Sequence, residues 1–446
     1  MKTYSLVDKI KNKLSKDANL KELLSGSAVT FVLKMSGMGL GYVLIYLISQ
    51  KLGAEAVGFY QVMVKVLTVL GMIFGLGMNI SVLRYVGQFN NKEQRPKMHL
   101  LYSHFIKIVG PLTIVVSVIL YFSAGYIIAL LDKEALYAEG LRMVAIVLPF
   151  FTINQISVEF IRGLKKLKIS ELVRSVLRPL VMVAGISIFF SNDLTKMDVI
   201  YLLVVGLIIN SIISRWAIWT ALKEVPKTQV LFKRKEFLKT STPMMLTGIS
   251  STLMAALPIF FLDFYASQED VGIFAVAFRL ASLVSLVLVV VNTIAAPKFA
   301  ELYWADKKDE LQKFINQSVK IMFWIAFSLT VIIIAWGNFL LGLFGDEYTA
   351  GYWVLVILVL GQLLNAATGS VGVFMNMSGK QKELRKIIVI LTILGLVSYI
   401  FIGVITTMGY IIVALISVSI NMSLNIYLAY KVFKESKIKT FYLPLT

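Results

Sequence analysis

The chain has 446 residues, of which 58% are hydrophobic and only 15% charged, and its mean hydropathy is +0.80. These values exclude an ordinary soluble domain and are typical of polytopic helical membrane proteins. The formal net charge of +19 would suggest a nucleic-acid partner for a soluble protein. Here the charge is spread over short loops between apolar runs, so it indicates membrane topology and no nucleic-acid partner is expected.

The first 24 residues are polar and carry six lysines. Leu6, Ile10 and Leu14 recur in them at helical spacing, which is the pattern of an amphipathic helix lying on the cytoplasmic leaflet. A solvated basic tail fits the same residues equally well. The sequence leaves both interpretations open, and it contains no cleavable signal segment.

The hydropathy pattern predicts twelve membrane-spanning helices. A helix needs about 20 apolar residues to cross the hydrocarbon core, and runs of that length recur along the chain. The predicted spans lie near residues 27–50, 56–84, 101–124, 139–162, 172–191, 199–222, 239–265, 270–299, 317–344, 350–376, 384–406 and 409–433. The predicted fold class is therefore an all-α polytopic membrane protein.

Loops after even-numbered spans are basic, whereas loops after odd-numbered spans are nearly free of lysine and arginine. The basic clusters lie near residues 92–97, 165–168, 223–235, 307–313 and 380–386, and in the tail. The positive-inside rule places such loops in the cytoplasm, so both termini are predicted to be cytoplasmic. The external loops are all short and leave no room for an extracellular domain.

The longest basic loop falls at the midpoint and divides the spans into two sets of six. The predicted organisation is a cytoplasmic basic segment, a first six-helix bundle, a cytoplasmic linker, a second six-helix bundle and a cytoplasmic tail. Their boundaries are 1–24, 25–222, 223–238, 239–433 and 434–446. Because each bundle holds an even number of spans, the two should be parallel repeats with a substrate site at their interface.

The stretch from Val57 to Tyr85 returns as a second copy from Val271 to Phe299. When Val57 is aligned with Val271, several polar positions coincide along two otherwise apolar spans. The matched pairs are Lys65 with Arg279, Thr68 with Ser282, Asn79 with Thr293, and Arg84 with Lys298. The match in register indicates a repeated helix with a polar, cationic face.

Five cations inside apolar spans are the candidate substrate-binding residues. Charged side chains are costly at membrane depth and usually face a cavity or a partner. The candidates are Lys34, Lys65, Arg178, Arg215 and Arg279. Thr68, Asn79, Ser282 and Thr293 would add polar groups to the same lumen. The alternative is snorkelling of long side chains to the headgroups, which fits Arg84, Arg162, Arg174 and Lys298 better.

Embedded carboxylates are scarcer. Asp263, near the external end of the seventh span, is the candidate for coupling to H⁺ or Na⁺, although it could instead serve as a counter-ion for Arg279. Glu159 lies three residues before Arg162 and could simply pair with it. The balance inside the membrane is therefore cationic, which favours an anionic substrate such as one with phosphate groups.

Motifs for covalent chemistry are missing from the sequence. It has no GxxxxGK[ST] loop for nucleotide phosphates, and no nucleophile paired with a histidine. His99 and His104 sit in a loop region and form no metal-binding pattern. We expect no catalytic residue, no metal, no cofactor and no enzymatic activity.

The first predicted hairpin resembles that of O-antigen-type polysaccharide flippases, which belong to the multidrug, oligosaccharidyl-lipid and polysaccharide exporter superfamily. The residues that carry the resemblance are Leu52-Gly53, Val57-Gly58-Phe59-Tyr60, Gly75-Leu76-Gly77 and Arg84-Tyr85. The span number, the basic mid-chain linker and the basic tail fit the same family. The resemblance thus covers the whole chain.

The resemblance implies a pair of bundles that alternates access and carries an undecaprenyl-diphosphate-linked oligosaccharide across the bacterial inner membrane for surface polysaccharide synthesis. It implies a cationic central cavity, for which Lys34, Lys65, Arg215 and Arg279 are the matching candidates. The expected partners are the lipid-linked glycan, membrane lipid, H⁺ or Na⁺, and polysaccharide polymerase machinery. A multidrug or metabolite antiporter of the same superfamily, coupled through Asp263, is the alternative.

The predicted topology can be tested with reporter fusions. Alkaline phosphatase needs disulfides, which form outside the cytoplasm. A fusion in the 131–139 loop, which follows an odd-numbered span and is predicted to be external, should be active. Fusions in the 165–168 loop and at the C terminus, both predicted to be cytoplasmic, should be inactive. A fluorescent protein at the C terminus serves as the control, because it should fold there. The opposite pattern of phosphatase activity would mean that the chain is inserted the other way round.

Overall fold

The computed structural model of the chain describes residues 18–89, 95–189, 193–226, 234–405, 409–436 and 438–440. These residues are almost entirely helical, and no strand occurs among them. The α-helices, in chain order, are α1 Ala18–Phe74, α2 Met78–Phe89, α3 Met98–Leu130, α4 Ala135–Gly163, α5 Leu167–Glu171, α6 Leu177–Phe189, α7 Lys196–Leu222, α8 Arg234–Tyr265, α9 Gln268–Trp304, α10 Lys308–Ala335, α11 Gly337–Gly342, α12 Tyr352–Thr368, α13 Val371–Met377, α14 Gln381–Ile405 and α15 Tyr410–Ser436.

Eleven helices in the described part are long and apolar enough to cross a membrane. The first, Val29–Phe74, has 46 residues and would be about 69 Å long if straight, more than twice the hydrocarbon thickness. It is kinked at Gly53, whose φ of 74° lies in the left-handed region that glycine tolerates best. This run therefore contains the first two predicted spans, and the helices correspond to the twelve expected.

Three predicted spans are not continuous helices: the ninth is interrupted at Trp336, and the second and the tenth are interrupted by turns. The second, expected to run to residue 84, ends at Phe74, and α2 starts at Met78 after a turn in which Leu76 and Gly77 have positive φ. The tenth ends at Thr368 and resumes at Val371. Periodicity could not reveal these breaks, because both turns are short and the residues on either side remain apolar.

The described helices form two compact units. Unit 1 comprises Met1–Leu47 and Ile73–Thr242, and unit 2 comprises Ile48–Met72 and Pro243–Thr446. Within unit 1, α4 is the central helix and packs against α2, α3 and α7. Within unit 2, α12 takes the same position and packs against α9, α10 and α15. Because α4 and α12 are the fourth and tenth spans, the shared pattern agrees with a six-helix repeat. The exact domain boundaries remain a prediction.

In unit 2, hydrogen bonds and an ion pair show which loops and helix ends lie at the same end of the bundle. The indole Nε1 of Trp304, at the end of the eighth span, donates to the carbonyl of Met377 at the end of the tenth, at 3.0 Å. Lys380 forms an ion pair with Glu435 in the twelfth span, at 2.5 Å. At the other end, Ser49 donates to the Phe344 carbonyl. Even-numbered loops thus meet at one end and odd-numbered loops at the other, as alternating spans require.

The C-terminal segment docks on unit 2. The side chain of Gln312 donates to the Lys439 carbonyl and accepts from its amide, both at 2.8 Å. Ile438 and Thr440 on either side are buried. This paired hydrogen bond satisfies both backbone groups of Lys439 and fixes the tail beside α10. The basic amphipathic segment predicted at the N terminus lies mostly outside the described residues.

The two copies of the internal repeat pack against each other inside unit 2. A Cβ added to Gly58 would lie 2.1 Å from the carbonyl oxygen of Gln268, and one added to Gly272 would lie 2.1 Å from that of Ala54. Ala54 and Gln268 each stand four residues before the glycine of their own helix. The contact is therefore reciprocal, as expected where two copies of one sequence are related by a local two-fold axis.

Substituting the two glycines tests this contact. Gly58→Ala or Gly272→Ala must push the helices apart, and each should destabilise the protein by about 1 to 3 kcal/mol, the usual effect of overpacking. The measurement is the apparent melting temperature of the purified protein. Gly39→Ala, where no atom would lie within 4 Å of the new Cβ, is the matched control and should be neutral. Equal melting temperatures for all three variants would show that the close approach is not needed.

Candidate functional site

Unit 1 contains a polar cavity of about 220 Å³. Its walls come from α2, α4, the turn after α5, α6 and α7. The lining residues are Asn79, Phe151, Asn154, Gln155, Val158, Glu159, Arg174, Arg178, Leu207 and Asn210. Seven of these ten side chains are polar or charged, inside helices that are otherwise apolar. We call this space the unit 1 cavity.

An ion pair joins two walls of the unit 1 cavity. Arg174 lies in a π-helical turn, Leu172–Val176, and its Nη2 donates to Oε1 of Glu159 on α4 at 2.5 Å. Arg162 approaches the other oxygen of Glu159, with Nη1 3.6 Å from Oε2. The expected pairing of Glu159 with Arg162 is thus present but is the longer of the two. Arg174, expected to snorkel, pairs with Glu159 instead.

Four buried oxygen atoms of the unit 1 cavity have no hydrogen-bond donor in the described part of the chain. They are Oδ1 of Asn79, Asn154 and Asn210, and Oε2 of Glu159. Asn154 and Asn210 are only 7% and 2% exposed. Leaving such acceptors unpaired costs about 1 to 3 kcal/mol each, so the cavity should be filled by something that donates hydrogen bonds.

Unit 2 contains a second cavity, of about 320 Å³, with a different chemistry. Gln362, Asn365 and Asn421 line it together with serine and apolar side chains, and none of its lining residues is charged. Asn365 accepts a hydrogen bond from Asn425 at 2.8 Å, and Asn421 donates to the Ser417 carbonyl at 2.8 Å. Most of these amides are therefore paired within unit 2.

The structure brings Arg178 and Asn79 together in the unit 1 cavity, although the sequence assigned them to separate groups. Arg178 lies one turn beyond Arg174, and its side chain packs beside Gly206 on α7. Lys34 is half-buried on α1, and Arg215 is exposed on α7 near Tyr102. Neither lines the cavities described above.

The prediction that Lys65, Thr68 and Asn79 share one face of a single helix is wrong. The turn after Phe74 separates Asn79 from the helix that carries the other two. Lys65 is half-buried, and the Thr68 hydroxyl donates to the Val64 carbonyl at 2.7 Å within its own helix. The shared polar stripe therefore ends before the turn.

Arg279 in the second copy and Asp263 in the preceding helix, α8, are half-buried, and neither is without a partner. The Ser282 hydroxyl donates to the Arg279 carbonyl at 2.6 Å, so it too bonds back onto its helix. The side chain of Thr293 lies outside the described part. Lys65 and Arg279 stand two turns after Gly58 and Gly272, at equivalent places in the reciprocal contact.

Sequence reasoning identified Asn79 but missed the other three amides of the unit 1 cavity. Asn154 and Gln155 interrupt the fourth span, and Asn210 the sixth. Uncharged polar groups inside apolar runs are a weaker signal than lysine or arginine, but the same argument about buried polar groups applies to them. Among the described residues, no group of three His, Asp or Glu side chains could hold a metal ion.

Two solved transporter structures share this fold. A MATE multidrug resistance transporter in its inward-facing conformation gives a TM-score of 0.74 at 15% identity, covering 92% of this chain and 98% of its own. The lipid II flippase MurJ, in an inward closed conformation, gives 0.72 at 16% identity, covering 92% and 87%. These likenesses show that the chain has the same fold as those two proteins.

Sequence comparison then narrows the class. Residues 23–303, more than half of the chain, match the family described as polysaccharide biosynthesis protein, and the chain belongs to that family. The capsular polysaccharide biosynthesis protein CapF of Staphylococcus aureus is 25% identical over 204 residues, 45% of this chain. The matched region spans about half the length of CapF (51%). The family resemblance noted in the sequence is confirmed.

The Glu159–Arg174 pair can be tested by a double-mutant cycle. Arg174→Gln removes the residue that forms the shorter of the two ion pairs with Glu159, a largely buried carboxylate. This substitution should destabilise the protein by about 1 to 3 kcal/mol. Adding Glu159→Gln should recover most of that loss, because the largely buried carboxylate charge is removed and Arg162, its other partner, is exposed. Apparent melting temperatures of the four proteins give the coupling.

The matched control for this cycle is Lys298→Gln. It breaks an exposed pair with Glu301, 2.7 Å long, and should cost less than about 1 kcal/mol. If the effects of Arg174→Gln and Glu159→Gln on stability are simply additive, the ion pair makes no net contribution to stability.

Proposed function

We propose that this protein is a flippase for a lipid-linked oligosaccharide. It would carry an undecaprenyl-diphosphate-linked glycan from the cytoplasmic to the outer leaflet of the bacterial inner membrane, for surface polysaccharide synthesis. The observation that carries the proposal is the polysaccharide biosynthesis family match over residues 23–303. The fold that this chain shares with the lipid II flippase MurJ supports the same kind of substrate.

The chain's own residues supply the charge that such a substrate needs. A diphosphate is an anion, and arginine and lysine bind it through charge-assisted hydrogen bonds that strengthen where water is scarce. Lys65 and Arg279, with Lys34 and Arg215, are the proposed cationic contacts for the diphosphate, and Arg178 is a proposed contact for another part of the substrate. The equivalent positions of Lys65 and Arg279 after Gly58 and Gly272 support treating these two as a pair.

Transport would proceed by alternating access, with the sugars crossing in a polar lumen while the polyprenyl chain stays in lipid. Asp263 is the proposed residue for coupling to H⁺ or Na⁺, and polysaccharide polymerase machinery would use the product. A multidrug antiporter is the second candidate, favoured by the fold shared with a MATE transporter over 92% of this chain. Drug susceptibility of a deletion strain separates the two functions.

Neutralising the repeated cations tests the flippase proposal. In a cell that depends on this protein for surface glycan, Lys65→Ala combined with Arg279→Ala should reduce glycan display at least about tenfold, the effect of losing 1.4 kcal/mol of substrate interaction. The reason is the loss of both paired anion contacts. Display is measured with a glycan-specific lectin or antibody at matched expression.

The control is Lys107→Ala combined with Lys320→Ala, two exposed lysines within other spans. This variant should display normal glycan. Normal display from the Lys65 and Arg279 variant would remove those residues from the mechanism. Normal display from a strain lacking the whole protein, together with raised drug susceptibility, would favour the antiporter.

A further inference from the structure

We infer that the unit 1 cavity is a binding site for a sugar unit of the transported glycan and does not hold its diphosphate. This inference rests on the proposed flippase function for the source of the sugar. The cavity chemistry itself comes from Asn79, Asn154, Glu159 and Asn210, which present oxygen atoms without donors in the described part of the chain.

The orientation of Asn210 is fixed by its neighbour. Its Nδ2 donates to the Val173 carbonyl, which can only accept, at 3.0 Å, so its Oδ1 is the buried oxygen left without a donor. Asn79 pairs with a second amide, with Nδ2 3.3 Å from Oε1 of Gln155. Glu159 adds a carboxylate oxygen, which can only accept when ionised.

These acceptors discriminate between ligand classes. An ionised diphosphate offers only acceptors, so it would face four oxygen atoms without a hydrogen bond to any of them. A bare cation would suit the oxygens, but Arg174 and Arg178 place two positive charges on the same wall. A sugar hydroxyl both donates and accepts, so it satisfies both kinds of group.

The other residues that line the unit 1 cavity also suit a sugar. Arg178 provides donors, and Gln155 can donate through Nε2 because its Oε1 already accepts from Asn79. Phe151, Val158 and Leu207 provide apolar contact for the C–H faces of a sugar ring. Arg174, Arg178 and Arg162, which also pairs with Glu159, outnumber the one carboxylate of the cavity, so an acidic substituent on the sugar is tolerated.

The test is sugar binding to the full-length protein in lipid nanodiscs free of glycoside detergent. Saturation-transfer difference NMR would measure N-acetylglucosamine and glucuronate as probes. The wild type should show transfer to at least one probe, and excess inorganic pyrophosphate should not reduce it. Asn154→Leu combined with Asn210→Leu keeps the side-chain size, removes two acceptors and should weaken binding at least about fivefold.

Two further variants keep the test decisive. Asn421→Leu, in the cavity of unit 2, should leave the signal unchanged. If the Asn154 and Asn210 variant does not fold, Glu159→Gln replaces it, because the new amide keeps an acceptor for Arg174 and turns the other oxygen into a donor. Glu159→Gln should weaken sugar binding several-fold.

The inference is overturned if the wild type binds neither probe, if pyrophosphate displaces them, or if only Asn421→Leu weakens binding. Loss of glycan display in a deletion strain is scored separately. Glycan loss without sugar binding would sink this inference and leave the flippase proposal standing. Sugar binding with normal glycan in the deletion strain would sink the flippase proposal and leave a sugar site whose ligand is not the transported glycan.

Discussion

The reciprocal contact between Gly58 and Gly272 is the constraint on which the packing of the internal repeat depends. In lipid, helices gain little from apolar burial against each other, so close packing of small residues matters more than in water. Each glycine lets a backbone carbonyl of the other copy approach where no side chain would fit. The same contact fixes Lys65 and Arg279 at equivalent positions two turns further along. The repeat that the sequence shows only as an alignment thus corresponds to a local two-fold arrangement of two helices.

Polar groups inside a membrane protein must find partners, and the two units meet this demand differently. In unit 2 the cavity amides are largely bonded to each other and to the backbone, as Asn365 and Asn425 show. In unit 1 the cavity keeps four acceptors open among the described residues and encloses the Glu159–Arg174 pair. A bonded network stabilises a helix bundle, whereas open acceptors in a cavity suit a ligand. The difference makes unit 1 the more informative side for substrate chemistry.

Most of the fold could be predicted, because the number of spans and the alternation of loop charge are properties of long segments. The breaks after Phe74 and Thr368 could not, because the apolar pattern continues across them. The prediction of a polar stripe from Lys65 to Asn79 failed for that reason. Arg178 was a candidate from charge alone, but its cavity neighbours Asn79, Glu159 and Asn210 lie on other helices, and no spacing rule connects them. Asn154 was overlooked because a single amide in an apolar run carries little signal.

The sequence by itself determined a polytopic helical membrane protein of twelve spans, its internal repeat and its family resemblance. Each of these follows from hydropathy or similarity along the chain, which act over many residues and need no partner helix. Only the tertiary structure decided which buried polar groups meet: Glu159 with Arg174, Asn79 with Gln155, and Gly58 with the Gln268 carbonyl. These encounters depend on helix rotation and on short breaks between helices. A one-residue change in either would turn the same side chains toward lipid.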